Sequence, residues 1–254
     1  MALQRGAVLV VFTTLKTNCA INLAQTPHVV GTITQAATLN NFRREEPRTC
    51  DVVEMRLDKI GFNATDWIAK GKAIELQGVP VIFTLRLAAE GGEWRRPDEE
   101  RAGYFGLALE NFAAIDVEWQ SRLVKKLSQT ARAAGKQVIV SYHDFVKTPS
   151  LRALQDVVIE AGRYASIVKV TTMITRPADV ATLRELLKQD WSVPLCVMGM
   201  GEQGTETRVL FPTLGSCLTY GYLDESAAPG QIAAPELVRR LGELSPQYRM
   251  RPTS

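Results

Sequence analysis

The chain has 254 residues, of which 46% are apolar, 22% charged and 7% aromatic; this composition excludes disordered, collagen-like and coiled-coil classes and suffices to bury a sizeable core. Thirty Lys and Arg against 27 Asp and Glu give a net charge of +3. The signs are interspersed, so no one-signed patch marks a nucleic-acid binder, and a modest excess of Arg suits a small anionic ligand.

Residues 1–26 come first, as an extension. Their apolar run Gly6-Ala7-Val8-Leu9-Val10-Val11-Phe12 follows Arg5 but lacks a small-residue cleavage site, and nowhere are 18 apolar residues consecutive. No membrane partner is expected, and the expected compartment is the cytoplasm, with a divergent signal peptide as the alternative. The run is expected to pair as a strand or hairpin under the floor of the domain that follows.

From Pro27 onward, short β-branched runs alternate with segments of helical periodicity. Strands are predicted at 28–34, 52–58, 80–86, 114–119, 137–144, 166–172, 194–200 and 217–223. Between them Leu151, Leu154 and Val158, or Val180, Leu183 and Leu187, recur at the spacing of an amphipathic helix. Thr148-Pro149 reads as an N-cap and first-turn pair. Near-continuous apolar strands such as Val79-Pro80-Val81-Ile82-Phe83 fit a parallel sheet covered on both faces. Eight βα units point to α/β architecture: one (β/α)8 TIM barrel over 27–245, with 246–254 as a tail; the Arg-rich stretch 239–251 reads as a solvated terminal helix and frayed end. The competing open doubly wound sheet has no G-x-G-x-x-G after its first strand. Cys19, Cys50, Cys196 and Cys217 show neither a C-x-x-C pair nor metal-ligand spacing and read as reduced core thiols.

In such a barrel the chemistry gathers at the C-terminal ends of the strands. Glu54, Arg56 and Asp58 alternate onto one face of the second strand; they either meet a ligand or form a buried ion network that closes the mouth. Lys169 sits between Ile167-Val168 and Val170, where a lysine needs a partner. Either neighbouring cations such as Arg56, Arg86 or Arg208 and desolvation leave it a neutral amine able to attack a carbonyl, or it is salt-bridged to Glu54 or Asp58. His143 ends the neighbouring strand, fit to act as base and then acid near neutral pH. His28 opens the first strand at the inert floor and reads as structural.

In this order Glu54-Met55-Arg56-Leu57-Asp58, Phe83-Thr84-Leu85-Arg86 with Glu90-Gly91-Gly92-Glu93, Ser141-Tyr142-His143-Asp144-Phe145 with Thr148-Pro149, Lys169, the stretch 198–208, Gly215-Ser216 and Ala228-Pro229-Gly230-Gln231 resemble type I 3-dehydroquinate dehydratase. The resemblance implies a hydro-lyase of the shikimate pathway that converts 3-dehydroquinate to 3-dehydroshikimate on a TIM barrel, as a homodimer, without metal or organic cofactor. It also implies that Lys169 forms an imine, that His143 removes the adjacent proton and then protonates the leaving hydroxyl, and that Glu90 orients His143. Arg208 would anchor the substrate carboxylate, and Glu54, Arg56 and Arg86 would meet ring hydroxyls or the carboxylate. Gln231 would close the site from the last loop, Met200 and Tyr220 would line the pocket or belong to the core, and Thr32 would stand for a substrate-contacting serine.

One departure concerns the family's Ser-Ala-Pro-Gly-Gln, here Ser226-Ala227-Ala228-Pro229-Gly230-Gln231. Aligned on Pro229, Ala227 takes the serine position, so that hydroxyl contact is either missing or supplied by Ser226. Residues 90–96, with their glycine pair, read as a mobile lid. Two rivals stand beside the dehydratase. A class I aldolase-like barrel needs Lys169 but not Glu90-Gly91-Gly92-Glu93 or Pro229-Gly230-Gln231. A metabolite sensor fits the lost serine but has no need of an imine-forming lysine.

Overall fold

The computed structural model describes residues 19–45, 47–61 and 66–249, so the apolar run expected as an N-terminal strand or hairpin lies outside the described residues. The eight strands are β1 (His28–Ile33), β2 (Val52–Arg56), β3 (Val81–Thr84), β4 (Ala114–Glu118), β5 (Gln137–Asp144), β6 (Ile167–Met173), β7 (Leu195–Met200) and β8 (Leu218–Tyr222). They pair in parallel in the order β7-β6-β5-β4-β3-β2-β1-β8. The seam between β7 and β8 is held by the Cys217 N–H on the Leu195 carbonyl at 2.7 Å and by Ser216 Oγ, which accepts from Val197 N at 2.9 Å. The result is a nearly closed (β/α)8 barrel, as the alternating periodicity predicts.

Strand side chains alternate between two apolar layers. Val29, Ile33, Val53, Met55, Val81, Phe83, Val138, Val140, Val168 and Val170 pack outward against the helices. Val30, Val52, Ile82, Ala114, Ile139, Ile167, Cys196 and Leu218 fill the lower barrel. Both faces are dry, which is why the strands read as continuous apolar runs. Ile21 plugs the floor, its backbone N–H and carbonyl both held by the Gln137 side chain, at 2.8 and 3.1 Å. His28 Nε2 lies 2.8 Å from the Asn22 carbonyl, a floor contact in keeping with its structural reading. The floor residues before β1 form a coil and the 3-10 turn Leu23–Gln25.

Three local expectations are corrected. β2 stops at Arg56, because Leu57–Ile60 forms a helical turn that swings Asp58 behind Arg56. The helix Leu151–Gly162 is capped by Ser150, whose Oγ accepts from Ala153 N at 3.3 Å; Thr148 instead spends its hydroxyl on the end of β6, donating to the Met173 carbonyl at 2.9 Å. The tail is docked as far as residue 249: Tyr248 is buried, gives its hydroxyl to Asp51 Oδ2 at 2.8 Å and lies under the Arg48 guanidinium, 4.6 Å from its ring centre.

Candidate active site

Above the apolar floor layer the inward positions turn polar, and a cavity of about 470 Å³ opens at the C-terminal ends of the strands. Its lining brings together Thr32, Glu54, Arg56, Arg86, Glu90, His143, Lys169, Met200, Arg208, Tyr220 and Gln231, eleven of the twelve residues to which the family resemblance gives a role in the site. Ser226 is the exception. It is exposed and turns its hydroxyl onto the Ala228 carbonyl at 2.9 Å, while Ala227 and Ala228 face the cavity. The loop does not shift to restore the family's serine contact. Thr171, Met198, Phe145 and Gly91 complete the wall.

Lys169 projects inward from β6 and is 5% exposed. Its Nζ lies 3.2 Å from Asp116 Oδ2, a partner on β4 that is neither Glu54 nor Asp58, and 4.0 Å from the centre of the Tyr220 ring. Asp116 also takes Arg86 Nη2 at 2.9 Å and the Ser141 hydroxyl at 2.7 Å. Burial pushes the Asp116 carboxyl up, but Arg86 and Lys169 outweigh it and hold the group well below the usual carboxylate range. Arg86 reaches on to Glu118 at 3.4 Å, and Glu118 is shared with the fully buried Arg101 at 2.8 Å. Asp116 and Glu118 escaped the sequence reading although they lie on a predicted strand. The rule that flagged Lys169, a charge between apolar neighbours on a central strand, applies equally to Ala114-Ile115-Asp116-Val117-Glu118.

The ion network on β2 is split. Asp58 grips Arg56 through two bonds, Nε to Oδ1 at 2.9 Å and Nη2 to Oδ2 at 2.7 Å, and stays outside the cavity wall. Glu54 accepts hydroxyls from Thr32 at 3.0 Å and Thr84 at 2.8 Å.

His143 Nδ1 lies 2.9 Å from Glu90 Oε2, which assigns Nδ1 the donor role and leaves Nε2 for the cavity. Burial, helped by Arg86 and Lys169, holds the imidazole well below its ordinary range, so it is neutral near pH 7. Burial likewise pushes Glu90 up to about 7, against the pull of Arg86 and with Glu118 and Asp116 adding to the rise. The loop carrying Glu90 is anchored at Trp94. Trp94 is buried, its N–H bonds the Arg86 carbonyl at 3.1 Å and its carbonyl takes Ala88 N at 2.9 Å. Gly92 packs so closely on the segment after β3 that a Cβ there would sit 2.1 Å from the Arg86 carbonyl oxygen, which accounts for one glycine of the pair.

Arg208 is 2% exposed and no carboxylate pairs with it among the described residues. Its Nε donates to the Gly230 carbonyl at 3.0 Å and its Nη1 to the Tyr220 carbonyl at 3.1 Å; Nη2 is buried without a partner. Burial brings the group down to about 10. A guanidinium left one donor short at a cavity wall is an anion receptor waiting for its ligand. Gly230, at φ +72°, stands where a Cβ would meet the Gly201 carbonyl at 2.2 Å, so the last loop can close over Arg208 only with glycine there. Gln231 accepts from Ala227 N at 2.7 Å and reaches Thr32 Oγ1 at 3.4 Å. Among the described residues no group of three or more His, Cys, Asp and Glu side chains is placed to hold a metal ion, and no helix is long and apolar enough to cross a membrane.

These features meet a consistent set of relatives. The family model for type I 3-dehydroquinase matches residues 29–246. A 3-dehydroquinate dehydratase of Methanosarcina mazei is 35% identical over 224 residues, covering 81% of this chain and 90% of that one; one from Methanocella arvoryzae is 33% identical over 192 residues, covering 75% and 86%. The crystal structure of the 3-dehydroquinate dehydratase from Aquifex aeolicus superposes with a TM-score of 0.75 at 28% identity, over 85% of this chain and 98% of that one. With a matched model spanning the whole barrel and relatives above 30% identity, this chain belongs to the type I 3-dehydroquinase family.

Proposed function

We propose that this chain is a 3-dehydroquinate dehydratase of the shikimate pathway, a hydro-lyase that gives 3-dehydroshikimate through an imine on Lys169. The observation that carries the reading is the presence in one cavity of an inward lysine, a neutral imidazole and a buried guanidinium with an unpartnered N–H. Arg208 takes the substrate carboxylate through Nη2, which seats the ring across the cavity toward Lys169. Glu54, Arg56, Arg86, Thr32 and Gln231 supply donors and acceptors for its hydroxyls.

Lys169 Nζ, once it has lost a proton, attacks the ketone carbon, and loss of water gives a protonated imine. That imine draws electrons from the adjacent carbon, so a weak base suffices to remove the proton there. His143, neutral and oriented through Nδ1 by Glu90, takes the proton on Nε2. The enamine then expels the hydroxyl on the next carbon, which leaves as water with the proton His143 returns. Hydrolysis frees the product and Lys169. The homodimer and the cytoplasmic compartment implied by the resemblance belong to the same reading; sedimentation velocity tests the first. Activity is tested by adding 3-dehydroquinate and following the ultraviolet absorbance of the conjugated enone. Binding without a rise would favour the sensor.

A further inference from the structure

One wall group is left unused by these steps. Tyr220 reaches into the cavity from β8, 3% exposed, with its ring 4.0 Å from Lys169 Nζ. Its phenolic hydroxyl is buried and has no hydrogen-bond partner among the described residues. A buried tyrosine ordinarily finds a partner for its hydroxyl, because an orphaned one costs free energy. A phenylalanine would line the wall and face the Lys169 nitrogen equally well without that cost. The hydroxyl is therefore a liability that a ligand atom relieves.

The position of that atom follows from the bond Lys169 makes. When Nζ joins the ketone carbon, the ketone oxygen lies two bonds from Nζ, and the Tyr220 hydroxyl hangs on the ring already packed against Nζ. Asp116, on the other side of Nζ, offers only acceptors. Thr171 also has an orphaned hydroxyl, but it stands in register with His143, toward the side where the proton is moved. Burial, reinforced by Cys196, Glu54 and Asp116, raises the phenol well above its ordinary value, so it stays protonated and serves as a donor.

We propose, on the dehydratase reading, that Tyr220 is a further catalytic residue whose hydroxyl donates a hydrogen bond to the ketone oxygen as Lys169 attacks and to the carbinolamine hydroxyl that this oxygen becomes. The N–C bond forms as the carbonyl π pair moves to oxygen; the C–O bond then breaks as the nitrogen lone pair forms C=N. The Lys169 ammonium passes one proton to His143 as it becomes a nucleophile; that proton, returned by His143, and a second from the attacking nitrogen leave with the oxygen as water, so His143 is neutral again for the next step and Tyr220 keeps its own proton.

Tyr220→Phe removes the hydroxyl alone. Enzyme mixed with 3-dehydroquinate and quenched with borohydride at timed intervals reports the rate of imine formation as adduct mass. The variant is expected to form adduct about tenfold more slowly or worse, with a thermal midpoint no lower than that of the parent. Equal rates overturn the proposal and leave the dehydratase reading standing. A midpoint lower by several degrees assigns the hydroxyl a structural role and also overturns it. No adduct in the parent protein overturns both.

Discussion

Lys169 and Asp116 form a buried ion pair at 3.2 Å, and the other oxygen of the same carboxylate holds Arg86 at 2.9 Å. One anion on β4 thus balances two cations in the middle of the barrel. Asp116→Asn leaves Lys169 without its counter-ion in a dry site and Arg86 with Glu118 alone, and removal of one partner from such a cluster typically costs about 3–5 kcal/mol. Urea unfolding measures the loss; a cost under about 1 kcal/mol would show that the pair is not the anchor of this wall.

Arg208 presents the opposite balance. Its folded value, about 10, lies below the ordinary arginine value, so the charged form is disfavoured on folding and the ligand-free protein carries that cost at neutral pH. Arg208→Met is expected to leave the thermal midpoint unchanged or raised while KM rises at least about tenfold, since two or more charge-assisted bonds to the carboxylate are lost. A lower midpoint with KM unchanged would remove Arg208 from the binding site.

The Glu90 and His143 pair makes a pH prediction. Glu90 titrates near 7 when folded, and protonating it removes the acceptor that keeps the proton on His143 Nδ1. The acid limb of kcat/KM is therefore expected near pH 7, and in Glu90→Gln it moves below the ordinary imidazole value of about 6.5 on a lower plateau. Stability follows the same linkage. Between the ordinary glutamate value and 7 the folded state holds a proton that the unfolded state has lost. The contribution of Glu90 therefore falls as pH rises through that window, and the stability of the parent relative to Glu90→Gln declines between about pH 4 and pH 7. An identical limb in both proteins would assign it elsewhere.

Gly92→Ala tests whether the Glu90 loop is rigid. The added Cβ meets the Arg86 carbonyl, so the loop must lift and carry Glu90 from His143. A displacement of that order is expected to lower kcat about 100-fold with a smaller change in KM, read by steady-state kinetics. A variant with parental kcat would restore the mobile-lid reading.

The barrel was legible because its strands are buried on both faces and its helices on one, so period and apolarity report them directly. The site was legible where a polar residue ends an apolar run, as at Lys169, His143 and Arg86. Asp116 and Glu118 carried the same signal on 114–119 but were passed over, which left Lys169 without its true counter-ion. Asp58 defeated the alternation rule because a helical turn after Arg56 replaced two residues of strand. The docking of the tail has a tertiary reason: Tyr248 is pinned by Asp51, a partner distant in the sequence, and no local pattern announces that contact. The Ser226 hydroxyl was spent within its own turn, again a matter of loop geometry.

On the dehydratase reading the substrate becomes joined to Lys169 Nζ. Borohydride reduction in the presence of 3-dehydroquinate, followed by proteolysis and mass mapping, should place the added mass on the peptide containing Lys169 and nowhere else, with neither adduct nor turnover in Lys169→Ala. Parental turnover in Lys169→Ala, or the mass on a different lysine, would contradict the account.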